Sequence, residues 1–340
     1  MNKSELETGG RGSGAQILRW VIGLTVLGLS AWILARGLNW QAAVDSLLSA
    51  EYGWVILGVV AILGTFVTRG LRWQALLYQD KVGLMSAVTA ILIGQVVNTG
   101  LPVARSGDVA RAVWVSQREM VGASQAIGTI VLEKVWDLLA LCVAGVILLL
   151  AWPLPVWFSQ STWAMILAVA IGIGALYLGL YWQRPLLRWA ATLLQRLPGK
   201  AGRVLLPQLE GVVSALDAAR QAQASANAGL WTFGTWVLGA LANWAVMRAF
   251  GVQSWPAALF LEATLMLGGA VVPTPGRIGV FEGIAVVSLT QFGVDASAAL
   301  AIGVVLHLVV LAPALIAAAL LSVITASPGL LGWLGRTGRE

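Results

Sequence analysis

Long apolar runs dominate this sequence and constrain its fold more than any other feature. Six of them approach the roughly 20 residues that an α-helix needs to cross the hydrocarbon core of a bilayer. They cover residues 17–38, 52–70, 126–150, 161–182, 228–250 and 297–325. Only 11% of the 340 residues are charged, against roughly 25% in an ordinary soluble domain. The sequence therefore predicts an all-α polytopic membrane protein with about six full spans.

Two further apolar stretches are interrupted by proline and glycine beside charged residues. The first stretch, 84–101, ends within the segment 98–108, which we call the first break. The second stretch, 257–272, is followed by 273–282, which we call the second break. Proline removes a backbone donor and clashes with the preceding turn, so neither stretch should cross the bilayer as one clean helix. Each is predicted to be a re-entrant pair of half-helices, with two full crossings as the alternative.

The distribution of lysine and arginine predicts the topology. Basic residues lie near both termini, after the second span and throughout 184–220, whereas 151–160 and 251–256 carry no charge. Because cytoplasmic loops are enriched in Lys and Arg, both termini and 184–220 are predicted to be cytoplasmic. The segment 83–122 should then enter from the cytoplasm and return to it, and 256–296 should do the same from outside. Span, break and span in two opposite orientations form an inverted-topology repeat.

This reading predicts the domain organisation. The chain, 1–340, is expected to be one membrane domain, with 52–150 as the first repeat and 228–325 as the second, inverted repeat. The segment 184–225 is expected to be a cytoplasmic connector of two short amphipathic helices on the inner leaflet. A plain linker is the alternative.

Charged residues at membrane depth are the candidates for function, because they are costly in hydrocarbon and usually face the interior of the bundle. Helix N-termini attract anions, and arginine suits bidentate contacts to phosphate, so an anionic headgroup is the expected ligand at the breaks. The predicted substrate-binding residues are Arg69, Arg72, Asn98, Arg105, Asp108, Arg111 and Arg277. The alternative is that the arginines only neutralise local carboxylates.

Five acidic residues fall at membrane depth: Asp108, Glu133, Asp137, Glu262 and Glu282. Glu133 and Asp137 lie one helical turn apart and either pair structurally with Arg105 or Arg111 or take part in transport. Glu282 is interpreted as a helix cap, a proton carrier or a partner for a basic residue.

His307, the only histidine, is interpreted as a helix-contact residue or a proton relay. The predicted coupling or structural charges are therefore Glu133, Asp137, Glu282 and His307. With one His, one Cys and no nucleotide-binding Gly-Lys loop, the sequence predicts no metal site, no cofactor and no catalytic residue. Its positive charges cluster beside membrane segments, so nucleic acid is not an expected partner.

Four segments resemble a known family. They are Arg69-Gly70-Leu71-Arg72-Trp73 with Leu76-Leu77, residues 98–111, Glu133-Lys134-Val135-Trp136-Asp137 with the two leucines after it, and 272–276 through Glu282-Gly283. In this order they resemble the lysylphosphatidylglycerol synthase transmembrane-region family, also called flippase-like domain proteins, which includes the membrane half of the multiple peptide resistance factor. The family tends to have a second glycine where this chain has Arg277, so that arginine is expected to serve a substrate particular to this protein.

The resemblance implies translocation of a lipid with a polar headgroup between leaflets of the bacterial inner membrane. The expected substrate is an anionic or zwitterionic phospholipid or a polyprenyl-phosphate-linked sugar. The soluble aminoacyl-transferring domain of larger relatives is missing, so lipid synthesis is not implied and the chain is expected to be a transporter, not an enzyme. Two alternatives stay open. One is a lipid-modifying enzyme such as a glycosyltransferase, for which only Asp108 and Glu282 qualify as catalytic carboxylates. The other is an accessory subunit of an envelope-lipid pathway. Besides the lipid, the partners considered are a second copy of the chain and envelope-lipid biosynthesis enzymes.

Overall fold

The computed structural model describes residues 39–77, 82–100, 106–119, 121–152, 220–271 and 275–324, together with isolated positions between 167 and 192. The span predicted at 17–38 and the residue Arg105 lie outside the described residues. So do most of the span predicted at 161–182 and most of the connector at 184–225.

All regular structure in the described ranges is helical. The helices are α1 (Trp40–Leu48), α2 (Tyr52–Leu76), α3 (Leu84–Gly100), α4 (Ser106–Arg118), α5 (Ala123–Ala151), α6 (Ala222–Ala249), α7 (Trp255–Val271), α8 (Val280–Thr290) and α9 (Ala296–Ile324). A single 3-10 turn, Pro275–Arg277, lies between α7 and α8.

Long helices cover four of the predicted spans. Within the described part of the chain, α2, α5 and the first 25 residues of α9 are long and apolar enough to cross a membrane. The fourth, α6, has 28 residues but mixes Asn, Thr, Gln and Ser among its apolar side chains. The prediction of an all-helical polytopic membrane protein is confirmed at this level.

The C-terminal part of α2 corrects the predicted end of the second span. The sequence places that end at residue 70, so Arg72 counts among the charges that follow the span. The helix instead continues to Leu76, and both Arg72 and Trp73 are buried within it. The span predicted from hydropathy ends at the arginines, because a hydropathy scale contains no information on the partner groups that make a buried charge tolerable.

A short helix also precedes α2 where the sequence indicates only a loop. Asn39 caps α1 by accepting the backbone N–H of Ala42 at 3.1 Å. Asn is a favoured N-cap because its side-chain oxygen replaces a missing backbone acceptor. α1 then packs against α9.

Helices α2 and α6 pack along each other at the centre of the bundle. Gly58 lies under Val246, whose Cγ2 would be 3.1 Å from a Cβ added to the glycine. Thr68 and Thr235 share a hydrogen bond of 2.8 Å between their hydroxyl groups. Small residues and interhelical hydroxyl contacts of this kind allow membrane helices to approach closely.

The remaining helices surround this pair. α3 packs on α2 and α4, α7 packs on α6 and α8, and α5 contacts α2, α4, α6 and α7. α9 packs on α8 and also contacts α1, α2 and α3. The two helix pairs that flank the breaks are therefore both held against the central helices.

Candidate functional site

Glu133 lies at the centre of an ion network between helices. Arg72 of α2 donates from Nη2 to its Oε1 at 2.7 Å, and Arg111 of α4 donates from Nη1 to its Oε2 at 2.8 Å. Glu133 and Arg72 are 1% exposed and Arg111 is 2% exposed. Each carboxylate oxygen therefore holds one charge-assisted hydrogen bond, the strong class of such contacts.

The network continues along α5 and reaches α6. Asp137, one turn after Glu133, accepts a hydrogen bond from Nη1 of Arg72 at 2.5 Å. The same nitrogen lies 3.4 Å from Oγ1 of Thr232 in α6. Lys134, at the edge of the network, places its Nζ 4.0 Å from Asp137. Arg72 therefore connects three helices through one guanidinium group.

Asp108 closes the network on the side of α4. Its Oδ1 lies 3.0 Å from Nη2 of Arg111, an ion pair that lacks hydrogen-bond geometry. The guanidinium carbon of Arg111 also lies 5.1 Å from the ring centroid of Trp73, a cation–π contact. Trp73 is in turn fixed by a hydrogen bond from its Nε1 to Oγ1 of Thr129 at 2.9 Å.

These contacts give the two arginines a structural role. Charges with so little exposure are tolerated only when opposite charges neutralise them. Glu133 pairs with Arg111, which was one of the two alternatives for this carboxylate, and with Arg72 in addition. Substrate binding by Arg72 and Arg111 stays a prediction.

Arg69 stands beside this network without joining it. It lies three residues before Arg72 on α2 and is half-buried. No carboxylate of the described residues forms an ion pair with it. Its guanidinium carbon lies 5.9 Å from the ring centroid of Phe66. The structure thus separates two arginines that the sequence treats alike.

The first break brings α3 and α4 into backbone contact. The side-chain Oδ1 of Asn98 accepts the backbone N–H of Gly107 at 2.8 Å. A Cβ added to Gly107 would collide with the carbonyl oxygen of Gly94. Asn98 therefore satisfies a free donor at the start of α4, as the first N–H groups of a helix require.

The second break is held by Glu282 and His307. Glu282, the third residue of α8, accepts the backbone N–H of Gly279 with Oε2 at 2.7 Å. Its Oε1 lies 2.7 Å from Nδ1 of His307 in α9, whose Nε2 lies 2.8 Å from the carbonyl oxygen of Gly276. Phe281 stacks on the imidazole with a centroid distance of 4.5 Å. Glu282 is thus both a helix cap and the partner of a basic residue.

Arg277 lies on the turn of the second break. It is exposed, and it adopts a left-handed conformation with φ 58°, which is uncommon for a residue other than glycine. Within the described residues no carboxylate forms an ion pair with it. It therefore resembles Arg69 in having no protein counter-ion there.

The two breaks lie next to each other. The 3-10 turn Pro275–Arg277 packs against α3. A Cβ added to Gly276 would lie 3.9 Å from Cγ2 of Thr99, the penultimate residue of α3. Thr99 and Gly276, 177 positions apart in the sequence, are thus adjacent where both apolar stretches are interrupted.

Comparison with known proteins identifies the family. The family described as "Lysylphosphatidylglycerol synthase TM region" matches residues 20–329. This chain belongs to that family. The match includes every described helix and both breaks. No curated protein and no solved structure matches the chain.

In this lysylphosphatidylglycerol synthase TM-region protein, Glu262 is a further membrane-depth carboxylate to which the sequence assigned no role. Its Oε2 accepts a hydrogen bond from Nδ2 of Asn243 at 2.8 Å. A Cβ added to Gly239 would lie 2.5 Å from its Oε1, so the glycine provides the space for this carboxyl group. In the described part of the chain no cation pairs with it. The signal was available, since Glu262 is the one charged residue in α7.

The charged groups that the structure describes are not arranged as a metal centre. Among the described residues no group of three His, Cys, Asp or Glu side chains could hold a metal ion. Glu133 instead directs both oxygens at arginines. The arrangement can hold helices together and present two further guanidinium groups to an anion.

Proposed function

We propose that this chain translocates a phosphate-bearing lipid between the leaflets of the bilayer, as a transporter and not as an enzyme. One observation carries the proposal: half-buried Arg69 lies beside the network in which Arg72 and Arg111 are paired, and it lacks an ion-pair partner in the described residues. An incompletely exposed cation favours an anionic ligand, and arginine matches the geometry of phosphate. Membership in a family named for lysylphosphatidylglycerol synthase supports a lipid as that ligand.

The position of the breaks supports a route for the headgroup. The turn of the second break lies against the end of α3, where the first break begins. Interrupted helices are tolerated at membrane depth where they are buried in protein or line a polar cavity. In the proposed route the headgroup passes the two breaks, Arg69 and Arg277 contact its phosphate, and the acyl or prenyl chains remain in the lipid.

The helix lengths support an inverted repeat. Helices α2 to α5 contain 25, 17, 13 and 29 residues, and α6 to α9 contain 28, 17, 11 and 29. In both halves a carboxylate is the third residue of the helix after the break, Asp108 in α4 and Glu282 in α8. We infer that both breaks are re-entrant, the first open to the cytoplasm and the second to the outside of the inner membrane. Both termini are then cytoplasmic.

The contacts of these carboxylates favour transport over lipid modification. An enzyme of the glycosyltransferase type needs a carboxylate that is free to act on its substrate. Asp108 pairs with Arg111, and Glu282 binds His307 and the N–H of Gly279. Neither group is available without breaking a contact that holds a helix.

A liposome assay tests the proposal. The full chain is reconstituted with a fluorescent anionic phospholipid, and a membrane-impermeant quencher reports lipid reaching the outer leaflet. A second set of liposomes carries a labelled polyprenyl-phosphate sugar, so the two substrate sources are distinguished. We expect one probe to cross faster than in liposomes without protein. If neither does, the accessory-subunit and enzyme alternatives replace this proposal.

Arg69→Ala tests the site within the same assay. Losing a charge-assisted contact of about 1.5–3 kcal/mol should slow translocation roughly ten- to hundredfold. The matched control is Arg220→Ala, at an exposed position just before α6. Thermal unfolding of both variants should match that of the wild type, because neither arginine has a carboxylate partner among the described residues. Equal transport by Arg69→Ala and wild type would show that the phosphate binds elsewhere.

A further inference from the structure

The imidazole of His307 lies between two hydrogen-bond acceptors. Its Nε2 is 2.8 Å from the carbonyl oxygen of Gly276, which can only accept. Its Nδ1 is 2.7 Å from Oε1 of Glu282, whose Oε2 already accepts the N–H of Gly279. The side chains of His307 and Glu282 are 7% and 12% exposed, so bulk water replaces neither contact.

These two contacts determine how many protons the pair holds. A neutral imidazole has a single N–H. If that proton is on Nε2 and serves Gly276, Nδ1 presents a lone pair to the carboxylate of Glu282, and two lone pairs 2.7 Å apart repel. Both contacts are hydrogen bonds at the same time only when one more proton lies on Nδ1, as in an imidazolium, or on Oε1, as in a carboxylic acid.

We propose that Glu282 and His307 form a proton-binding site that locks the second break while the proton is bound. With the proton present, Nδ1 and Oε1 share one hydrogen and Nε2–H donates to Gly276. When the proton leaves to water, one N–H faces two acceptors. The ionised carboxylate of Glu282 is the stronger acceptor, so the N–H stays on Nδ1 and Gly276 loses its bond to the ring. The lock is therefore closed at low pH and released as pH rises.

The turn that the proton holds is a strained element. Gly276 and Arg277 have φ values of 60° and 58°, both in the left-handed region, which is disfavoured for arginine. Without the hydrogen bond to Nε2, no described contact of the Gly276 carbonyl opposes relaxation of this turn. The break is thus the part of this region expected to move.

The helices around the ring are, by contrast, closely fixed. Gly303 brings α9 against α8, since an added Cβ would lie 2.9 Å from Cβ of Ala285 and 3.4 Å from Cα of Glu282. Phe281 covers one face of the imidazole. Proton release therefore acts on the turn rather than on the packing of α8 and α9.

No other charged group of the described residues forms an ion pair with Glu282 or His307. α3 carries no titratable side chain. Other helices that pack against α8 and α9 carry five charged residues: Asp45, Arg69, Arg72, Arg248 and Glu262. The turn itself carries Arg277. The proton is accordingly shared by Glu282 and His307 alone.

Magnetic resonance tests the proton count. Because His307 is the only histidine, ¹⁵N-histidine in the full chain reports this ring without overlap. In lipid nanodiscs we expect one proton beyond a neutral ring and a carboxylate at low pH, and the loss of that proton as pH rises. The carboxyl signal of Glu282, assigned by its disappearance in Glu282→Gln, shows which group carries it.

Two variants are compared with the wild type in the histidine spectra: Glu282→Gln removes the carboxylate that faces the ring, and Glu262→Gln is the control. A carboxamide can donate to Nδ1, so the ring should become the neutral Nε2–H tautomer at every pH. Glu262→Gln should leave the histidine spectrum unchanged. A wild-type ring that is neutral throughout, opposite an ionised Glu282, would overturn the proposal.

Thiol accessibility tests the lock. In a Cys142→Ala background, Ile278→Cys places a thiol beside the turn at a position that is 55% exposed. Its reactivity, divided by that of the same cysteine in Glu282→Gln, should increase severalfold as pH rises. Val287→Cys on α8, 63% exposed, should show only the ionisation of the thiol itself. A ratio for Ile278→Cys that does not change with pH would overturn the lock.

This inference rests on the proposed function only in assigning the second break to the lipid route. Neither the spectra nor the labelling requires lipid transport. A failed liposome assay with a titrating His307 would refute translocation and leave the proton site in place. The opposite pair of results would refute the proton site alone.

Discussion

The backbone N–H of Gly107 donates to the side-chain oxygen of Asn98 at 2.8 Å, which ties α4 to α3 across the first break. The contact is possible because neither Gly107 nor Gly94 has a Cβ. It places the first turn of α4 against α3 and so positions Asp108 and Arg111 next to α5. The first break is therefore part of the support for the ion network.

Gly107→Ala should separate α3 from α4. The new methyl group would overlap the Gly94 carbonyl and the Asn98 carboxamide, and overpacking of this kind costs about 1–3 kcal/mol or more. The matched control is Gly100→Ala, because a Cβ there meets nothing within 4 Å. Thermal unfolding in detergent should show a lower midpoint for Gly107→Ala alone. Equal midpoints would mean that the helices do not touch at this point.

Glu133→Gln should destabilise the protein strongly. Both Arg72 and Arg111 lose an ionised partner in a site with almost no exposure, and removing one member of a buried pair costs about 3–5 kcal/mol. Lys134→Gln is the control on the next residue, 37% exposed and 4.0 Å from Asp137, where a loss of only about 0–1 kcal/mol is expected. Chemical or thermal unfolding measures both. A small loss for Glu133→Gln would indicate that the arginines are neutralised by other groups.

Glu262→Gln should be tolerated. Its carboxyl group interacts with the neutral amide of Asn243, and a carboxamide oxygen can accept the same hydrogen bond. We expect a change of less than about 1 kcal/mol, in contrast to Glu133→Gln. Unfolding measured side by side distinguishes the two carboxylates. A large loss would reveal an ionised partner that the described contacts do not include.

The two breaks should be reached from opposite sides of the membrane. In a Cys142→Ala background, Gly100→Cys and Ile278→Cys introduce thiols at exposed positions beside the first and second break. With an impermeant reagent, the first should label from the cytoplasm and the second from outside. Labelling of both cysteines from the same side would contradict the predicted inverted-topology repeat.

Transport should depend on an imposed pH gradient through Glu282. Proton exchange at the Glu282–His307 pair changes the hydrogen bonding of the second break, so lipid movement and proton movement become linked. Glu282→Gln should remove the effect of the gradient on transport rate in liposomes. If wild-type protein moves lipid equally fast with and without a gradient, coupling is wrong and a passive scramblase is the better description.

The sequence alone predicted the membrane class, the long helices near 52–70, 126–150, 228–250 and 297–325, and the interruption of two further apolar stretches. These features are local, because hydropathy over about 20 residues and the backbone chemistry of Pro and Gly act within one segment. The same reasoning placed Glu282 in the first turn of a helix. It did not show that α2 continues beyond its arginines, because that depends on what surrounds them.

Only the tertiary structure decided which charges meet. Arg72 pairs with Glu133, 61 residues away, and Glu282 with His307, 25 residues away. Arg69, on the same helix as Arg72, finds no such partner in the described residues. The sequence of a helix shows that a charge is present at membrane depth. The free-energy cost of burying that charge, and its role, depend on the group that faces it across a helix interface. That group is set by the packing of α2, α4, α5 and α6 around Glu133 and of α8 on α9 at Gly303, which no single segment of the sequence contains.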